Sequence, residues 1–203
     1  MTDLPEDVVE LRHRLQVSLA ERDELLLQQT ATAEILKVIN SSPGNLTPVF
    51  DIILEKAHSL CDVTTGSLEL YEGDFARSVA TRGMNERWEQ YLRNGYAITE
   101  GIRPGYQTTQ PRQMVDMRKL VERFPDEPIY HDFIEIGGLR TLLALPLVKD
   151  GMAFGRIVAT REEARAFTEK QISLLQSFAD QAVIAMENAR LFKETQDRTA
   201  EVT

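Results

Sequence analysis

The sequence predicts an α+β fold, an antiparallel core of strands flanked by a long coiled-coil helix at each end. Three patterns predict it. Residues 66–71 (GSLELY) and 75–82 (FARSVATR) flank Glu72-Gly73-Asp74, and residues 141–148 and 153–160 flank Lys149-Asp150-Gly151-Met152. Each pair reads as a hairpin, because glycine supplies the positive φ of a tight hairpin loop. Near the start, Leu4, Val8, Leu11 and Leu15 step by four, three and four, which is a heptad seam. Near the end, Ile172, Leu175, Ala179, Ala182, Met186 and Ala189 keep a similar spacing.

A chain of 203 residues fits one domain of ordinary size, and 42% hydrophobic with 27% charged residues is globular composition. The longest apolar run, Leu142–Val148, contains Pro146 and is far shorter than the ~20 residues of a membrane-spanning helix. The N-terminal MTDLPEDVVE is acidic where a secretory signal is basic, which predicts a cytoplasmic protein. A net charge of -9 with no basic stripe repels phosphate backbones, so neither nucleic acid nor a membrane is an expected partner. Cys61 is the single cysteine, which excludes an internal disulfide and two-cysteine redox chemistry; it reads as a small buried apolar group.

In chain order, the first helix carries its stripe past Leu15 to Leu19 and Leu26, where an extra four-residue step shifts it, and on to Ile35, Leu36, Val38 and Ile39. Arg12, Arg14, Glu21, Arg22, Asp23 and Glu24 cover the other faces, so the narrow stripe wants a partner helix. Ser41-Ser42-Pro43-Gly44 ends the helix, since proline disfavours helical geometry in the residue before it. This separates a helix of residues 1–40 from a globular domain of residues 41–167. Thr47-Pro48 reads as N-cap and first helical residue of a helix bearing Val49, Ile53, Ala57 and Leu60.

Between the hairpins come a helix around Asn85–Arg93, a glycine-punctuated stretch from Gly95 to Gly105, a short strand at Arg112–Val115, a loop with Pro125 and Pro128, and a helical turn at Ile129–Ile136. That mixed texture suits a site. A last helix, residues 168–203, carries the second seam and, on a neighbouring face, Leu174, Phe178, Ala185 and Phe192. Two apolar faces imply two partners, the protein's own sheet and a second chain in a parallel homodimer. Its alanines would let helix axes approach closely.

The run Leu60-Cys61-Asp62, Gly66-Ser67-Leu68, Leu145-Pro146-Leu147, Asp150-Gly151, Phe167-Thr168 and Phe178-Ala179-Asp180-Gln181-Ala182 resembles the GAF sensor modules of bacterial histidine kinases and nucleotide cyclases, over roughly residues 34–195. The resemblance implies an antiparallel sheet with helices on both faces. It says less about the ligand, because members share a scaffold while their pockets diverge. Cyclic-nucleotide-binding members carry an Asn-Lys pair and a later Phe-x-x-x-Asp-Glu; here Phe124-Pro125-Asp126-Glu127 is too short for that spacing and no Asn-Lys precedes it. Bilin-binding members attach their chromophore through a pocket cysteine, whereas Cys61 precedes the first strand, so no covalent bilin is expected. Members that reduce methionine sulfoxide need pocket cysteines as nucleophiles, which are missing too. Haem is not expected either, since His13 lies on the charged stalk and His58 off its helix's apolar stripe, both solvated in this reading. The cofactor stays unidentified.

The candidate ligand contacts are Trp88, Tyr91, Arg112, Tyr130 and His131. Together they offer aromatic faces, a guanidinium able to fork onto a carboxylate or phosphate, and a group titrating near neutrality. Four have a plainer reading: Trp88 and Tyr91 as core, Arg112 and His131 as solvated surface. Glu69, with Ser67 and Tyr71 on its face of the strand, lines a polar cavity or faces water. No nucleophile elbow, phosphate-cradling loop, HExxH or defensible carboxylate pair is present. The expectation is a non-catalytic dimeric sensor coupling a small-molecule or conformational input to the flanking helices, with any kinase or cyclase output in another segment or partner. The alternatives are a ligand-free dimerising spacer and, last, an enzyme on the same scaffold.

Overall fold

The computed structural model describes residues 6–201, and the side chains of residues 8–199. The chain divides into two compact units, Met1–Glu34 and Ile35–Thr203. The long helix α1 (Glu6–Ser41) crosses that division and ends at the expected proline break. In the first unit Val8, Leu11 and Leu15 are 39%, 62% and 59% exposed, so the heptad seam stands open. Leu4, its first residue, lies outside the described residues. The division falls inside the helix, ahead of Pro43, because Ile35 and Ile39 are already core.

The second unit continues with α2 (Thr47–Cys61), β1 (Thr65–Glu72), β2 (Phe75–Arg82), α3 (Glu86–Asn94), β3 (Tyr96–Ala97), α4 (Arg103–Tyr106) and β4 (Arg112–Val115). It closes with α5 (Arg118–Arg123), α6 (Pro128–Glu135), β5 (Thr141–Lys149), β6 (Met152–Arg161) and α7 (Glu169–Glu201). The strands form one antiparallel sheet in the order β3-β2-β1-β6-β5-β4. Both expected hairpins are present, and the second turns tightly through Asp150 and Gly151, both at positive φ.

Two local expectations change. Thr47 is the first residue of α2, not its cap; the Asn45 carboxamide oxygen accepts from the Thr47 N–H, because asparagine bonds readily to the backbone two residues on. Within the expected loop before Pro125 lies α5, a polar turn that buries no residue and so left no apolar period to read.

Helices α2 and α7 pack on one face of the sheet and on each other. Their buried residues include Ile53, Leu54 and Ala57 from α2 with Phe178, Ala182 and Ala185 from α7. This corrects part of the expected dimer seam. Leu175, Ala179 and Ala182 are at most 1% exposed inside a single chain, so they meet the protein's own sheet and no second copy. The small alanines that suggested a helix–helix contact instead let α7 lie close against the sheet. Ile172, Met186 and Ala189 are half-buried, while Ile184, Leu191 and Phe192 face outward.

Arg161, at the end of β6, ties the start of α7 to the end of α2. Its buried guanidinium donates to the carbonyls of Cys61, Asp62, Arg165 and Ala166 and to the Gln171 side chain, and lies 3.8 Å from the centre of the Phe167 ring.

Candidate functional site

The opposite face of the sheet is set by register. Glu69 pairs with Arg156, Ser67 with Val158, Val158 with Ala144, and Ala144 with Arg112. Residues paired directly in an antiparallel ladder share a face, so these all point to the same side, away from α2 and α7. Over them folds the variable middle of the chain, whose Trp88, Leu92, Tyr96, Tyr106, Met117 and Phe133 form one core with Leu142, Ala144 and Val158.

Local rules place this cover. Asn85 caps α3 by accepting from the Trp88 N–H, and its amide donates to the Ile136 carbonyl just beyond α6. Gly95 then turns the chain at φ +86, where a Cβ would collide with the Phe75 ring and the Ala76 carbonyl. The strap that follows, β3 and α4, carries Tyr96 and Tyr106 back over the sheet.

At the centre is a buried polar circuit. Glu69 is 0% and Arg156 5% exposed, and the Arg156 Nε donates to Glu69 Oε2 at 2.8 Å. Tyr96 donates its hydroxyl to the same carboxylate oxygen, and Ser67 donates to Oε1. Arg156 Nη2 donates to both phenol oxygens, at 2.8 Å to Tyr96 and 2.7 Å to Tyr106, and Tyr106 donates to Tyr96. The Arg156 guanidinium also lies 3.9 Å from the Tyr106 ring centre. Burial pushes the Tyr106 phenol up to about 12 and Tyr96 well above its ordinary value, against the pull of Arg156, so both remain donors. Burial also opposes the Arg156 charge, but Glu69 and the surrounding phenols outweigh it and hold its pKa high. Two buried polar atoms on this side, Ser78 Oγ and Trp88 Nε1, have no partner.

The five candidate contacts separate. Trp88 is buried, stacked on Tyr91 at 5.2 Å, and Tyr91 stacks in turn on Tyr96 at 6.2 Å. Tyr91 bonds to Asp132, and burial with that carboxylate raises its pKa. Tyr130 packs half-buried against the same cluster, tilted on Phe124. The structure therefore brings Trp88, Tyr91 and Tyr130 to one cluster. His131 instead donates from α6 to the Pro125 carbonyl of the preceding loop at 2.9 Å, and Arg112 is exposed on the outermost strand.

Sequence reasoning singled out Glu69 but missed Arg156, Tyr96 and Tyr106. A readable signal existed, a charge in the interior of each of two strands, Glu69 in β1 and Arg156 in β6. His58, expected in solvent, is half-buried with an unpartnered Nε2; burial, then Arg82, lowers its pKa. Cys61 is buried as expected, and burial pushes its thiol up to about 12. Among the described residues no cluster of three histidine, cysteine or acidic side chains could hold a metal, and no helix is long and apolar enough to cross a membrane.

No curated protein sequence matches the chain. Solved structures do. The phycoerythrobilin-bound GAF domain from a cyanobacterial phytochrome superposes with a TM-score of 0.65 at 16% identity, covering 81% of this chain and 96% of that one. The GAF domain from a phosphoenolpyruvate-protein phosphotransferase of Coxiella burnetii gives 0.61 at 16% identity, covering 82% and 96%. A GAF domain ascribed to a sensor histidine kinase of Pseudomonas syringae pv. tomato gives 0.59 at 18% identity, covering 91% and 99%. At such identities the likeness is one of fold. The sequence model of the GAF domain matches residues 45–186, most of the chain and both hairpins with everything between them, and the chain belongs to the GAF domain family.

Proposed function

We propose that the chain is a non-catalytic, dimeric sensory module of the cytoplasm, in which an input at the aromatic face of the sheet is passed to α7 and on to an output domain or partner. The observation that carries this reading is the placement of β6. Arg156 and Val158 on that strand look into the aromatic face, Ile157 and Ala159 look toward α2 and α7, and Arg161 at its end grips the first turn of α7. A shift at Arg156 therefore bears directly on the helix. An input acts only if it binds two arrangements of that strand and helix unequally. GAF neighbours ascribed to sensor histidine kinases support the class. The open seam of Val8, Leu11 and Leu15 and the outward Ile184, Leu191 and Phe192 support self-association. The full hydrogen bonding of Glu69 and its partners favours a second reading, a spacer whose face is permanently filled by its own side chains.

Mass spectrometry of freshly purified protein, native and then denaturing, tests both. A dimer carrying a small molecule that is released on denaturation is the expected result. A bare dimer selects the spacer, and a monomer at micromolar concentration overturns the dimer in either reading.

A further inference from the structure

We infer that the aromatic face is a ligand site closed on the chain's own phenols, and that its ligand is a neutral hydroxylated aromatic molecule, a phenol or catechol, whose hydroxyl replaces that of Tyr96 on the Glu69–Arg156 pair. This rests on the reading that this face receives the input.

Charge decides the class. Glu69 and Arg156 already balance at 0% and 5% exposure, so a carboxylate or phosphate would leave an uncompensated charge out of water. A neutral hydroxyl leaves the balance intact. It can donate to Glu69 Oε2 and accept from Arg156 Nη2, two of the three bonds the Tyr96 hydroxyl makes now.

Shape decides the ring. Trp88, Tyr91 and Tyr96 form a run of near-parallel aromatic planes, 14° and 16° apart, and withdrawal of Tyr96 leaves a slot in which a planar ring continues the stack. The unpartnered Trp88 Nε1 and Ser78 Oγ mark where further oxygen substituents would find bonds the closed protein leaves unmade.

The framework decides what moves. Glu69 and Arg156 sit on β1 and β6, the two central strands, and cannot shift without the sheet. Tyr96 and Tyr106 ride on a two-residue strand and a four-residue helix. Outside the aromatic core, that strap is fastened by its short ladder with β2, by the Ile98 N–H donating to the Asp74 carbonyl, and by the Arg103–Asp74 and Thr99–Glu127 contacts. Withdrawal of the Tyr96 side chain from the pair would exchange an internal phenol for an external one at little net cost in hydrogen bonds.

The protein's single tryptophan supplies the readout, because its indole N–H resonance reports directly on Trp88 Nε1. Wild type and Tyr96→Phe would be titrated with phenol, catechol, benzoate and toluene, with Tyr96→Leu in reserve should Tyr96→Phe fail to fold. Phenol and catechol should shift the resonance saturably, benzoate and toluene should not, and Tyr96→Phe should tighten phenol about fivefold by removing the internal competitor. Benzoate binding as well as phenol overturns the neutral class, and toluene doing so overturns the role of the hydroxyl. Unchanged phenol affinity in Tyr96→Phe overturns the displaced-phenol arrangement. Silence from every probe overturns the inference alone, because a ligand of another class would still appear in the native mass spectrum that tests the sensory reading.

Discussion

Glu69 on β1 and Arg156 on β6 stand directly opposite one another in the sheet register, and their side chains close an ion pair at 2.8 Å almost wholly out of solvent. Such a pair is worth little against a well-packed apolar replacement, yet breaking it strands a charge.

Arg156→Met alone should therefore destabilise the protein by about 3–5 kcal/mol. Glu69→Leu combined with Arg156→Met should recover most of that loss. Urea unfolding of the single and double variants checks it, and a double variant no more stable than Arg156→Met would contradict the argument.

The two terminal helices should answer charge differently. Ala182→Glu places a carboxylate at a position with no exposure inside one chain, so it should cost several kcal/mol and unfold the domain. Leu15→Glu alters an open position of α1 and should leave the domain's melting unchanged while weakening self-association. Light scattering over a dilution series, paired with thermal melts, separates the two effects.

His58 should make stability depend on pH. Its folded pKa lies below the ordinary 6.5, through burial and the nearby Arg82, so the unfolded chain binds its proton more tightly. That contribution is complete above about 6.5 and is lost as pH falls through the folded value. Urea midpoints across this range should fall less steeply in His58→Gln than in wild type.

Arg161→Ala should remove a donor from four carbonyls and from Gln171 Oε1, of which the Cys61 carbonyl keeps Gln171 Nε2 and Gln171 Oε1 keeps the Thr168 N–H, costing about 3 kcal/mol or more. Hydrogen exchange should quicken first in the opening turns of α7. Arg161→Lys should rescue only partly, because an ammonium cannot reproduce the guanidinium fork.

By itself the sequence determined the local structure of the domain. The periods of three and four, the hairpin glycines, Pro43 and the strand at Arg112–Val115 encode helices, turns and strand ends through short-range sterics, and the observed elements follow them closely. Of the site it showed Glu69 as out of place and the aromatic residues Trp88, Tyr91 and Tyr130 as candidates. Only the tertiary structure decided what those residues meet. Arg156 is distant from Glu69 in the chain, and their pairing depends on β1 and β6 becoming neighbours, a long-range choice that no local period records. The same holds for α7. A stripe such as Leu175, Ala179 and Ala182 suits a partner helix and a sheet equally well, because apolar burial is non-directional, and which surface covers it is settled by the packing of the whole domain.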